Sequence, residues 1–78
     1  MIKMSVPSSI TGTAEIQIYD MAGEKVRGLS MDVTSGAHNY LEWDGTNDHG
    51  NKVASGIYIA RVTIGGGNQR FMKMAVVK

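Results

Sequence analysis

The side chains best equipped for chemistry crowd into one stretch, Trp43 to Tyr58, where Asp44, Asn47, Asp48 and Asn51 supply closely spaced oxygen atoms. Oxygen ligands on a tight loop are what calcium takes, in sets of roughly six to eight. The spacing is not that of an EF-hand, because the alternating acidic pattern and the distal bidentate glutamate are missing. Asx turns account for the same four residues without a metal, since Asp and Asn side chains accept hydrogen bonds from nearby backbone amides. The four are weak calcium candidates, and the expectation is no metal and no cofactor. His38 and His49 are lone imidazoles with no companion motif, and both read as solvated. Ser35-Gly36 and Ser55-Gly56 lack the preceding glycine of a nucleophile elbow and its strand-to-helix setting. Gly65-Gly66-Gly67 joins two strands, so it cannot cradle a phosphate at a helix N-terminus. Glu15, Glu24 and Glu42 alternate outward or sit at turns, where a carboxylate is ordinarily solvated. No catalytic constellation emerges, and the chain is expected not to be an enzyme.

The elements that position these residues must come from a small chain. Seventy-eight residues make one domain, residues 1–78, of a size that buries only roughly 60% of its unfolded surface. Hydrophobic residues at 42% and charged residues at 19% exclude a disordered chain and suffice for one thin core. Eight Lys and Arg against seven Asp and Glu leave a net charge of +1. Such a chain exerts no long-range pull on nucleic acid, which is excluded as a partner. Without cysteine there is no disulfide and no thiolate site. No apolar run approaches the roughly 20 residues of a membrane span, and Met1 to Val6 lacks the apolar segment of a signal peptide. The chain is expected to be the C-terminal part of a larger protein that carries its signal elsewhere.

Apolar spacing is mostly two, the period of a strand with one buried face. Ile2, Met4 and Val6 form a first strand that Pro7 closes. Ala14, Ile16 and Ile18 form a second, and Asp20 at the head of a turn with Gly23 at its end predicts a hairpin. Glu24 to Met31 is the return strand, with Gly28 marking a bulge or a close approach. Thr34-Ser35-Gly36 turns into a strand with Asn39, Leu41 and Trp43 on one face. Within the Trp43–Tyr58 loop, Gly45, Gly50 and Gly56 permit positive φ at little steric cost. Tyr58, Ala60, Val62 and Ile64 line one face of the clearest strand, Gly65 to Asn68 turns the chain back, and Phe71 to Val77 is last, with Met72, Met74 and Val76 inward. No window carries a helical stripe. Trp43 is read as core volume between two sheets, the alternative being an exposed stacking platform. Tyr58 is read as a tyrosine corner, ring buried and hydroxyl bonded to upstream backbone, against a ligand-contact role.

The order of these motifs supports a family. Tyr19-Asp20 with Gly23, Trp43-Asp44-Gly45, Asp48 with Gly50, and Val53 followed by Ser55-Gly56-Ile57-Tyr58 resemble, nearly end to end, the immunoglobulin-like domain of the flagellar hook-capping protein family (FlgD-like). The resemblance implies an all-β fold, an immunoglobulin/fibronectin type III-like antiparallel β-sandwich of six to seven strands. It also implies a non-catalytic accessory or structural module of a secreted or cell-surface bacterial protein, acting in spacing, docking, anchoring or sorting. The partners so implied are other domains of the parent protein or a cell-surface or secretion component. Two other functions stand beside it: a flagellar hook-cap structural domain, and a carbohydrate-binding module in which Tyr19, Tyr40 and Phe71 face away from the core and stack on polysaccharide rings. The edge strands Ile2 to Val6 and Phe71 to Val77 are the expected docking strands.

Overall fold

Alternation with a period of two decides which faces meet. Ala14, Ile16 and Ile18 are fully buried along β2 (Gly12–Tyr19), while between them Glu15 is exposed and Gln17 half-buried. The same alternation buries Tyr58, Ala60, Val62 and Ile64 along β5 (Gly56–Ile64). The computed structural model describes residues 2–6, 8, 11–65 and 68–77. The remaining strands are β1 (Ile2–Ser5), β3 (Lys25–Val33), β4 (Tyr40–Trp43) and β6 (Asn68–Val76). All pairings are antiparallel: β3-β2-β5-β6 make one sheet and β1-β4 a second. The described residues contain no helix, and so none long and apolar enough to cross a membrane. This is an immunoglobulin-like sandwich of six strands.

The core lies between the sheets. Trp43, Ile16, Ile18, Val6, Val33 and Val62 are its largest fully enclosed side chains, drawn from both layers. A buried Trp, Ile or Val side chain contributes roughly 1.5–3 kcal/mol by leaving water, and in a domain of this size those few residues carry most of the hydrophobic term. Among the described residues one polar side chain joins them, that of Asn39. Its Oδ1 accepts from the Thr34 amide at 2.9 Å and its Nδ2 donates to Thr34 O at 3.0 Å, while its carbonyl accepts from the Val6 amide at 2.7 Å. Burial of an amide is tolerated because both ends of the group are satisfied.

Three expectations shift. The return strand is Lys25–Val33 rather than Glu24 to Met31, and the irregularity is not at Gly28. Ile18 pairs with Arg27 and Tyr19 with Lys25, so Val26 is the extra residue. Gly28 sits in register opposite Gln17, and the space above it is taken by the Lys25 side chain, whose Nζ lies 3.3 Å from where a Cβ would stand. The last strand starts at Asn68, because Asn68 already pairs with Ile64; polar residues at its head hide the alternation. The closing role of Pro7 and the turn at Gly66-Gly67 lie outside the described residues.

Candidate functional site

The Trp43–Tyr58 loop is held at both ends by aromatic rings. Trp43 is 2% exposed, and its ring meets that of Tyr58 edge-on at 5.8 Å and 75°. The Trp43 Nε1–H donates to Thr46 O at 2.9 Å. The Tyr58 hydroxyl donates to Ala54 O, four residues upstream, at 2.7 Å. Both rings therefore lie in the core while their polar atoms pin the backbone of the intervening loop, the geometry of a tyrosine corner with a tryptophan beside it.

Between these anchors the acidic and amide side chains bond to the loop itself. Asp44 Oδ1 accepts from the Thr46 hydroxyl at 2.6 Å and from the Thr46 amide at 3.0 Å. These two bonds, the hydroxyl's foremost, hold the Asp44 carboxyl below its ordinary value, with smaller help from the Arg27 and Lys52 charges. Asn47 Oδ1 accepts from the amides of His49 at 2.9 Å and Asn51 at 3.0 Å. The Asn47 amide donates to Asn51 O at 2.8 Å, and the Gly50 amide to Asn47 O at 3.0 Å, with Gly50 at φ 82°.

The hairpin at the end of β2 repeats this arrangement. Asp20 Oδ1 accepts from the amides of Ala22 and Glu24, both at 2.9 Å; the Asp20 amide donates to Glu24 O, the Gly23 amide donates to Asp20 O, and Gly23 lies at φ 85°. Two unrelated segments, Asp20–Glu24 and Asn47–Asn51, thus share one bonding scheme. An Asx residue caps the turn, and glycine three positions on takes the left-handed backbone that L side chains disfavour. Gly45 is likewise left-handed, at φ 77°. Gly56 does not use that freedom: it is the first residue of β5, extended and paired with Val76.

Asp48 reaches outside the loop. Its amide donates to Val26 O at 3.0 Å and its Oδ1 accepts from the Gly28 amide at 3.0 Å. Arg27 completes the grip, its Nη1 donating to Thr46 Oγ1 at 3.1 Å and Asn47 O at 2.9 Å, with its Nε 4.0 Å from Asp48 Oδ1. With one partner 48% exposed, that ion pair is worth at most about 1 kcal/mol; the bonds to the Val26 carbonyl and the Gly28 amide matter more, because they occupy backbone groups on the outer rim of β3. A groove of about 260 Å³ runs between the two turns, lined by Asp20, Glu24, Lys25, Asp48 and His49 among others. Among the described residues no set of three acidic, histidine or cysteine side chains converges on a point.

The calcium candidates are thereby located. Asp44, Asn47 and Asp48 direct side-chain oxygens at backbone amides, and Asn51 is the far end of the Asn47 turn. His38 stacks on Tyr40 at 6.3 Å and His49 is exposed. The three outward aromatics do not form one platform. Tyr40, 50% exposed under the Lys3 ammonium, is on the outer side of the β1-β4 sheet, whereas Tyr19 and Phe71 are on the outer side of the four-stranded sheet. Arg27 and Asn39 escaped sequence reasoning as structural residues. An amide on the inward phase of a strand was the available signal for Asn39, and Arg27 gave none, because its partners lie about twenty residues away.

A double-layered antiparallel sandwich with a tyrosine corner and a self-bonded polar loop defines an immunoglobulin-like domain whose most conspicuous motif is architectural. The sequence model of the FlgD Ig-like domain family matches residues 2–68, and the chain belongs to that family. It is a family of structural, non-catalytic domains. Comparison with curated proteins found no match, and comparison with solved structures found none.

Proposed function

We propose that this domain is a non-catalytic accessory module of a larger secreted or cell-surface bacterial protein, which it spaces, docks or anchors. The observation behind this reading is the contrast between the two outer strands of the four-stranded sheet. On the rim of β3 Asp48 bonds the Val26 carbonyl and the Gly28 amide, whereas among the described residues no backbone bond from outside the sheet reaches β6. A nine-residue edge with free N–H and C=O groups is a template for one more strand. Another domain of the parent protein, or a component of the cell surface or secretion machinery, would add that strand. The loop offers no competing chemistry, since the described bonds of its carboxylates and amides serve the fold.

The test replaces the module, in the parent protein, by an unrelated sandwich of equal size, and measures secretion and surface retention. Loss of either supports docking. Full retention with the other domains folded leaves the module a spacer and overturns the docking reading.

A further inference from the structure

The outer face of the four-stranded sheet carries side chains that the fold does not need. Two adjacent cross-strand rows run Gly28, Gln17, Arg61, Phe71 and Lys25, Tyr19, Ile59, Lys73. Phe71 is 68% exposed. Arg61 is held in place: its Nη2 donates to Gln17 Oε1, which also accepts from the Tyr19 hydroxyl at 2.7 Å, and its guanidinium lies 5.7 Å from the Tyr19 ring centre. The Arg61 Nε–H is closed off from solvent and has no acceptor. These rows hold three cations and no carboxylate; Glu15, in the next row, bounds them. A depression of about 280 Å³ lies beside Gly28, lined by Gln17, Lys25, Ser30 and Glu15 among others.

We propose that this face binds an anionic polysaccharide, a chain of sugar rings bearing carboxylates, with Phe71 and Tyr19 as stacking surfaces and Arg61, Lys73 and Lys25 as carboxylate partners. Three features select that occupant. The three cations of these rows call for an anion, and a guanidinium already oriented by Gln17 and Tyr19 loses little freedom on pairing. The exposed ring of Phe71 calls for a flat apolar surface, which the face of a sugar ring provides. The central strands β2 and β5 are hydrogen-bonded on both sides, so this face has no backbone groups to offer a peptide; recognition must run through side chains. Adjacent strands stand about 4.8 Å apart, so a row from β3 to β6 spans roughly 14 Å, room for several rings in line. The inference rests on the accessory reading, but it concerns a different surface from the β6 edge, so the two fail separately.

Affinity electrophoresis tests it, with polygalacturonate, alginate or neutral dextran cast in the gel at low salt. The expected result is retardation by the two uronates, none by dextran, and relief with added salt. Arg61→Gln and Phe71→Ala should each weaken retention about tenfold, through loss of a charge-assisted bond and of a stacked ring respectively. Phe71 is exposed enough for its variant to stay folded, which Trp43 fluorescence verifies. Absence of retardation, equal retardation by dextran, insensitivity to both substitutions, or equal displacement of the uronate by polyglutamate would each overturn the proposal.

Discussion

Replacing Tyr58 by Phe removes one oxygen and asks whether the tyrosine corner braces the loop. The hydroxyl bond to Ala54 O is 2.7 Å long, and Tyr58 is buried while Ala54 is exposed. A net hydrogen bond contributes about 1 kcal/mol, and a stranded buried partner costs up to about 3 kcal/mol. Because Ala54 is an exposed residue, water is expected to take the place of the lost donor, and the smaller figure applies. Phe keeps the edge contact with Trp43 at 5.8 Å; Leu forfeits that contact as well as ring volume, for a total of about 2–4 kcal/mol. The assay is urea unfolding followed by the fluorescence of Trp43, the sole tryptophan and one in contact with the mutated ring. Tyr58→Phe should lower stability by about 1 kcal/mol, or the melting temperature by about 4–8 °C in a domain of this size. A loss below about 0.5 kcal/mol, the scale of ordinary surface changes, would show that the hydroxyl bond braces nothing. A loss equal to that of Tyr58→Leu would show that water does not reach Ala54.

Two further predictions separate conformation from contact and charge from burial. Gly50→Ala should cost about 1–2 kcal/mol through its φ of 82° alone, since nothing lies within 4 Å of the added carbon; Gly28→Ala, where only the flexible tip of Lys25 must move, should stay within about 0.5 kcal/mol of wild type by the same unfolding assay. The Asp44 carboxyl, held below 3.8 by Thr46, favours the folded state above that pH, and the benefit disappears as pH falls through the lowered value. Carboxyl-detected NMR should find the depression in the wild type and find it reduced in Thr46→Val, which removes the hydroxyl that is its foremost cause and keeps the Thr46 amide bond.

Strand positions were legible because each buried face repeats every second residue: Ala14, Ile16 and Ile18, or Tyr58 through Ile64, leave few alternatives. Turns were legible where one residue type demands one conformation, as at Asp20 with Gly23. Gly28 misled because a glycine in a strand has two readings, bulge and close approach, and only the register tells them apart; the bulge fell on Val26, a residue without any local mark. The contacts of Arg27 with Thr46 and Asn47, and of Asp48 with Gly28, join segments about twenty residues apart. Local pattern carries no information about such pairs. The Arg61, Gln17 and Phe71 row was hidden for the same reason, since it exists only once three strands are laid side by side.

The difference between the two rims of the large sheet sets a rule for assembly. A sheet open at both rims can grow strand upon strand without limit, which is how fibrils propagate. On the β3 rim Asp48 occupies the Val26 carbonyl and the Gly28 amide, so a strand added at that end must first displace those bonds, whereas β6 forms the opposite rim of the sheet. The loop between Trp43 and Tyr58 thus acts beyond its own turn, as a guard on one rim of the sheet against a further strand.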